Sequence, residues 1–225
     1  MTSLAVLALA RSPEERPAAE RGARWLLGQE GRGHSWLTRL LFRLFPEKKP
    51  VDLDWDLTGW PWMPDTFSWV EPTSYALLAL KSLRAGLSDP RVEPRISEAE
   101  RMILDRTCAE GGWNYGNSTV LGEELWPYPD TTALALMALQ DRPRGDEIQH
   151  SLSALERMSE ANDSILARSL AILAFQSYGR DVSALRTALV LQLENGDFPL
   201  ETRAAAFAAL ALQMDANPLQ LSRDA

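Results

Sequence analysis

Three acids recur at matching places in this 225-residue chain: Glu71, Asp130 and Glu201. They head Glu71-Pro72-Thr73, Asp130-Thr131-Thr132 and Glu201-Thr202-Arg203, each just before a run of Ala and Leu. A carboxylate at a helix start accepts orphan amide protons and meets the positive end of the helix dipole, and proline is tolerated in the first turn. Capping is therefore one reading. The other is that the acids ring the mouth of a central cavity, with Asp130 or Asp65 as a proton donor. Both can hold, because the helices they head would all begin at one end.

Aromatic residues gather near these acids in sequence. Trp36, Trp55, Trp60, Trp62 and Trp69 fall in one long loop (about 30–70), and Trp113, Tyr115, Trp126 and Tyr128 in a second (about 108–129). Such residues pin irregular loops through their indole N–H groups. They also wall a site for an apolar ligand and stabilise cations. On that reading Trp62, Trp69, Glu71, Trp113, Tyr115, Trp126 and Tyr128 bind the ligand. A third cluster, Asp52-Leu53-Asp54-Trp55-Asp56, reads either as a solvated loop or as a diphosphate–Mg²⁺ site.

The elements that position these residues are repeats. Ser3–Leu9, Thr73–Leu80, Thr132–Leu139, Ser169–Phe175 and Arg203–Leu210 are near-copies of one Ala/Leu-rich helix core. Their terminal pairs, from Ala8-Leu9 to Ala209-Leu210, step by 71, 59, 36 and 35 residues. The short steps fit one helical hairpin each, and the long ones a hairpin with an inserted loop. Between the cores lie more charged helices at 14–29, 97–107, 146–159 and 182–193. The expectation is an all-α, single-domain protein over 1–225: an α/α toroid of stacked hairpins, small-residue helices inside and charged helices outside. Its tail, about 215–225, is polar and expected to fray.

Gly111-Gly112-Trp113-Asn114-Tyr115-Gly116, Arg24-Trp25-Leu26-Leu27-Gly28-Gln29 with Gly33-His34-Ser35-Trp36, and Leu189-Val190-Leu191-Gln192 with Gly196-Asp197-Phe198 resemble the Gln-Trp repeats of squalene and oxidosqualene cyclases. Those repeats are related to the ones in protein prenyltransferase β-subunits. Ser68-Trp69-Val70-Glu71-Pro72-Thr73 is similar to repeats in bacterial members of that terpenoid cyclase/prenyltransferase superfamily. The resemblance covers nearly the whole chain. It implies the toroid fold, a helix-tying role for Gln29, Trp36, Trp113, Gln192 and Phe198, and binding or transformation of an isoprenoid or other apolar ligand. The family's alkene-protonating acids stand in a DxDD motif followed by Thr-Ala. In Tyr128-Pro129-Asp130-Thr131-Thr132-Ala133 only Asp130 matches, so catalysis is left unassigned. The alternative is a non-catalytic toroid scaffold that binds a protein or peptide.

One cysteine, Cys108, and two histidines, His34 and His150, match neither the zinc set of the prenyltransferases nor a disulfide. No metal or cofactor is expected. A net charge of −8 argues against nucleic acid and anionic membrane surfaces, and no stretch reads as a membrane span. The apolar Leu4–Ala10 matches the repeat core better than a signal peptide, and a cytoplasmic location is expected. The chain then opens in mid-repeat with five inner helices, an incomplete ring that a missing N-terminal piece, a second copy or a partner chain would complete.

Overall fold

A computed structural model describes residues 2–33, 35–45, 51, 53–196, 201–213 and 217–221. Among them the protein is all-α apart from one short hairpin. Ten α-helices run α1 (Thr2–Leu9), α2 (Arg16–Leu27), α3 (Trp36–Leu44), α4 (Val70–Leu83), α5 (Val92–Asp105), α6 (Pro129–Ala138), α7 (Asp146–Glu160), α8 (Ile165–Ser177), α9 (Ser183–Glu194) and α10 (Thr202–Leu212). Among the described residues, no helix is long and apolar enough to cross a membrane.

The repeat cores are one packed row. α4 packs on α1 and α6, α6 on α8, and α8 on α10. Ala76, Ala79, Ala133, Ala135, Ala138, Ala171 and Ala174 are wholly buried in this row, where a methyl side chain lets neighbouring axes approach. Leu77, Leu78, Leu80, Leu134 and Leu136 fill the remaining space, at roughly 1.5–3 kcal/mol each for burial. The three middle helices, α4, α6 and α8, are buried on nearly every side. α2, α5, α7 and α9 each pack beside a row helix. On α5 the buried positions Val92, Ile96, Ala99 and Ile103 trace one stripe at helical spacing, and the other face is charged.

Three departures from the expected elements have simple causes. α5 begins at Val92 rather than Ser97, because Pro94 falls in its first turn and is tolerated there. Helix α3 occupies the first inserted loop; Ser35 caps it by accepting the Thr38 amide. The second inserted loop carries β1 (Thr119–Val120) paired antiparallel with β2 (Glu123–Glu124), turned by Leu121 and Gly122 at φ 53 and 84.

The tail also differs. Within 217–221, Leu219 and Leu221 are buried. Asn217 Nδ2 donates to the Leu173 carbonyl (2.7 Å), Gln140 Nε2 to Leu219 O (2.9 Å), and Arg11 Nη1 to Pro218 O (3.0 Å). Two apolar side chains and these carbonyls outweigh a polar composition.

Candidate functional site

Two tryptophans set the starts of α4 and α6. The Trp60 indole donates to Leu26 O at the end of α2 (2.9 Å), and the Trp113 indole to Ile103 O near the end of α5 (2.7 Å). The Trp60 amide donates to Thr73 Oγ1 and the Trp113 amide to Thr132 Oγ1, each at 2.9 Å. Trp69 N then returns to Trp60 O, and Tyr128 N to Trp113 O. The two inserted loops are thereby tied to their helices in the same way, and Glu71 and Asp130 are presented in equivalent first turns.

The Gly before each tryptophan is sterically required. A Cβ on Gly59 would stand 2.3 Å from Thr73 Oγ1, and one on Gly112 2.6 Å from Thr132 Oγ1. Gly111 and Gly112 also hold φ 81 and 79, which side chains rarely adopt.

The acids meet an arginine. Arg203 Nη1 of α10 donates to Glu71 Oε1 of α4 at 2.6 Å, and Arg203 Nε lies 3.4 Å from Glu201 Oε1. Glu71 is 6% exposed. Burial pushes its carboxyl above the ordinary 4.5; Arg203 opposes that, and Asp130 and Glu201 add to it. One turn along α4, Tyr75 is buried and its hydroxyl has no partner. Its pKa is raised by burial first, then by the Glu71 charge. Asp130, before burial, raises Tyr115. The three acids therefore share one electrostatic neighbourhood, in which Arg203 pairs with two of the carboxylates, Glu71 and Glu201. Glu201 is the N-cap residue of α10, but its side chain makes no capping bond; it faces Arg203 instead.

The aromatic residues divide into two kinds. Trp62, Trp69, Tyr115, Trp126 and Tyr128 are exposed. Tyr115 and Tyr128 stack with centroids 5.0 Å apart, and the Tyr115 carbonyl accepts the Val70 amide at the start of α4. Trp113 is 0% exposed, so it offers no face to a ligand; its place is in the frame. Trp36 is 75% exposed on α3, and Trp60 holds the tying position that the sequence assigned to it. A cleft of about 170 Å³ opens between α1, the end of α2, the 60–64 turn and Arg203; Trp25, Trp62, Pro72 and Tyr75 line it.

The remaining candidates scatter. Asp65 sits in an exposed turn at φ 62, closed by Thr66 N to Met63 O. Asp54 Oδ1 accepts the Asp56 amide and Asp105 accepts the Asp54 amide, so these acids hold the loop. Gln192 ties α9 to the segment before α8, donating to Asp163 O (2.6 Å) and accepting from Arg168. Gln29 is half-buried in the cleft wall. Asp52, His34 and Phe198 lie outside the described residues. Among the described residues, no three His, Cys, Asp or Glu side chains converge as a metal-ligand set. Cys108 is buried beneath Gly112, which raises its thiol pKa.

Arg203, Tyr75 and Trp25 were not singled out from the sequence. Arg203 had a signal: in the aligned cores it replaces Thr73 and Thr132.

No protein-family model matches the chain, and no curated protein matches it.

Proposed function

We propose that the chain is a binding scaffold on an α/α toroid, with its mouth where α4, α6 and α10 begin. Its occupant is a protein segment carrying lysine or arginine among apolar residues. The observation that carries this reading is a set of three neighbouring carboxylates, two of them paired with Arg203, beside half-exposed aromatic rings. Excess negative charge attracts a cation, and the faces of Trp69, Tyr115 and Tyr128 suit both a cation and apolar flanks. The toroid is supported by the packed row and by its return. α10 reaches α4 through Arg203, and the cleft there is also lined by Thr2–Leu4 of α1.

A second reading, an isoprenoid or other apolar chain held by the same aromatic residues, is favoured by the Trp- and Pro-walled cleft. Its volume is well below that of the usual small-molecule pocket, about 300–1,000 Å³. Protonation of an alkene needs an acid polarised by hydrogen bonds in a dry site. Here Asp130 is half-buried, and the arginine is directed to Glu71 and Glu201.

The test is an immobilised array of decapeptides with a central Lys or Arg flanked by Leu, Phe and Trp. In parallel, native mass spectrometry would follow the chain with farnesyl diphosphate, geranylgeranyl diphosphate and squalene. Peptide binding that weakens with salt, and falls about tenfold or more in D130N/E201Q, supports the scaffold. Retained prenyl compound without peptide binding overturns it in favour of the second reading. No binding of either overturns both.

A further inference from the structure

A larger cavity, of about 320 Å³, lies mainly in the first inserted loop and is closed by Gly116 and Asn117 of the second. Leu53, Trp55, Phe67 and Trp69 form its apolar walls, Arg32 and Arg106 its cationic ones, and Asp54, whose Oδ1 accepts the Asp56 amide, is its one acid. Arg106 closes α5 and is 8% exposed. Its Nη1 donates to Ser68 O at 2.6 Å, and its Nε is buried without a partner. The neighbouring acid, Asp105, accepts the Asp54 amide on both carboxylate oxygens, at 3.2 and 3.0 Å, and its charge only partly offsets the burial of Arg106. A buried, incompletely answered guanidinium is expensive, and burial draws its pKa down to about 10, still protonated at neutral pH. Removing that cost calls for an anion with a planar acceptor pair, which is what the guanidinium fork fits.

We propose that this cavity binds a small amphipathic carboxylate, its head on Arg106 and Arg32 and its aromatic or branched body against Trp55, Phe67 and Trp69. The whole protein is acidic, so two arginines against one acid, Asp54, around an apolar cavity select for charge locally against the overall field. The site shares Trp69 with the mouth, but none of Glu71, Asp130 and Arg203 lines it.

The probe is 4-phenylbutyrate, compared with 4-phenylbutanol and 4-phenylbutylamine by calorimetric titration and by the tryptophan indole signals in NMR. The expected result is saturable binding of the carboxylate, at least about tenfold tighter than the alcohol, with no binding of the amine. R106Q should lose at least about tenfold and R32Q less, while D130N binds as the parent does. If R106Q fails to fold, the three-probe comparison on the unaltered chain and R32Q still decide. Equal affinity for alcohol and carboxylate, a folded R106Q that binds normally, or no saturable binding of 4-phenylbutyrate overturns the proposal.

Discussion

Trp60 and Trp113 make the same bond from two different loops: each indole N–H donates to a carbonyl at or near a helix end, Leu26 O of α2 and Ile103 O of α5. Replacing either with Phe keeps most of the packing and removes one hydrogen bond; Leu26 O still accepts the Gln29 amide and Ile103 O the Arg106 amide. W60F and W113F should each lose about 0.5–1.5 kcal/mol in urea unfolding. W36F, at a position that is 75% exposed, should stay within about 0.5 kcal/mol of the parent.

The glycines beside these tryptophans separate strain from crowding. Gly112 and Gly122 both hold positive φ, at 79 and 84, but a Cβ on Gly122 meets nothing within 4 Å, while one on Gly112 meets Thr132. G122A should cost about 1–2 kcal/mol from backbone conformation alone. G112A should cost clearly more, and G59A should also destabilise, by contact with Thr73. Thermal melts of the three variants give the order.

Glu71 gives a signed pH dependence. Its folded pKa lies above its ordinary 4.5, so the folded state holds its proton longer than the unfolded chain does. Its contribution is complete below 4.5 and is lost as pH rises through the folded value. The stability of the parent minus that of E71Q should therefore fall as pH rises from 4.5. Removing Arg203, which lowers the Glu71 pKa, should move that titration higher still, as read in R203M by the carboxyl carbon shift in NMR. A difference that rises with pH would contradict this electrostatic picture.

At the other end of α4, Lys81 is almost fully buried. Its ammonium donates to Ala138 O (2.7 Å) and pairs with Glu100 (2.6 Å) and Asp141. Arg142 holds the second Glu100 oxygen at 2.6 Å. K81M strips one carbonyl and two carboxylates of this cation and should cost about 3–5 kcal/mol. A double-mutant cycle with E100Q should show coupling of roughly 0.5–3 kcal/mol.

The Ala/Leu cores were legible because their burial is nearly all-round, which leaves composition as the signal; Thr73 and Thr132 even fixed the register at which α4 and α6 match. The tryptophan register was not legible. Trp36 follows the Gln29 turn and Trp113 follows the Gly-Gly turn, so spacing favoured Trp36. Trp60 was hidden because α3 and its flanks separate it from α2, and only a hydrogen bond to Leu26 reveals the pairing. α3 itself was missed inside a loop reading, though Ser35 and Thr38 mark its start. The acid cluster was half visible: alignment gave Glu71, Asp130 and Glu201, while the Arg203–Glu71 pair required the contact of residues 132 positions apart in sequence.

The clasp made by residues 217–221 sets an order of events during synthesis. Arg11 ends its search only when the Pro218 carbonyl exists, and Gln140 has its two outward bonds only when Leu219 and Leu221 do. α1, α2, α4, α6 and α8 can pack on one another as they emerge from the ribosome, but the Arg11 and Gln140 bonds wait until residues 217–221 have been translated. A nascent chain stalled before residue 217 should thus carry a protected helix row and a more protease-sensitive segment around Arg11.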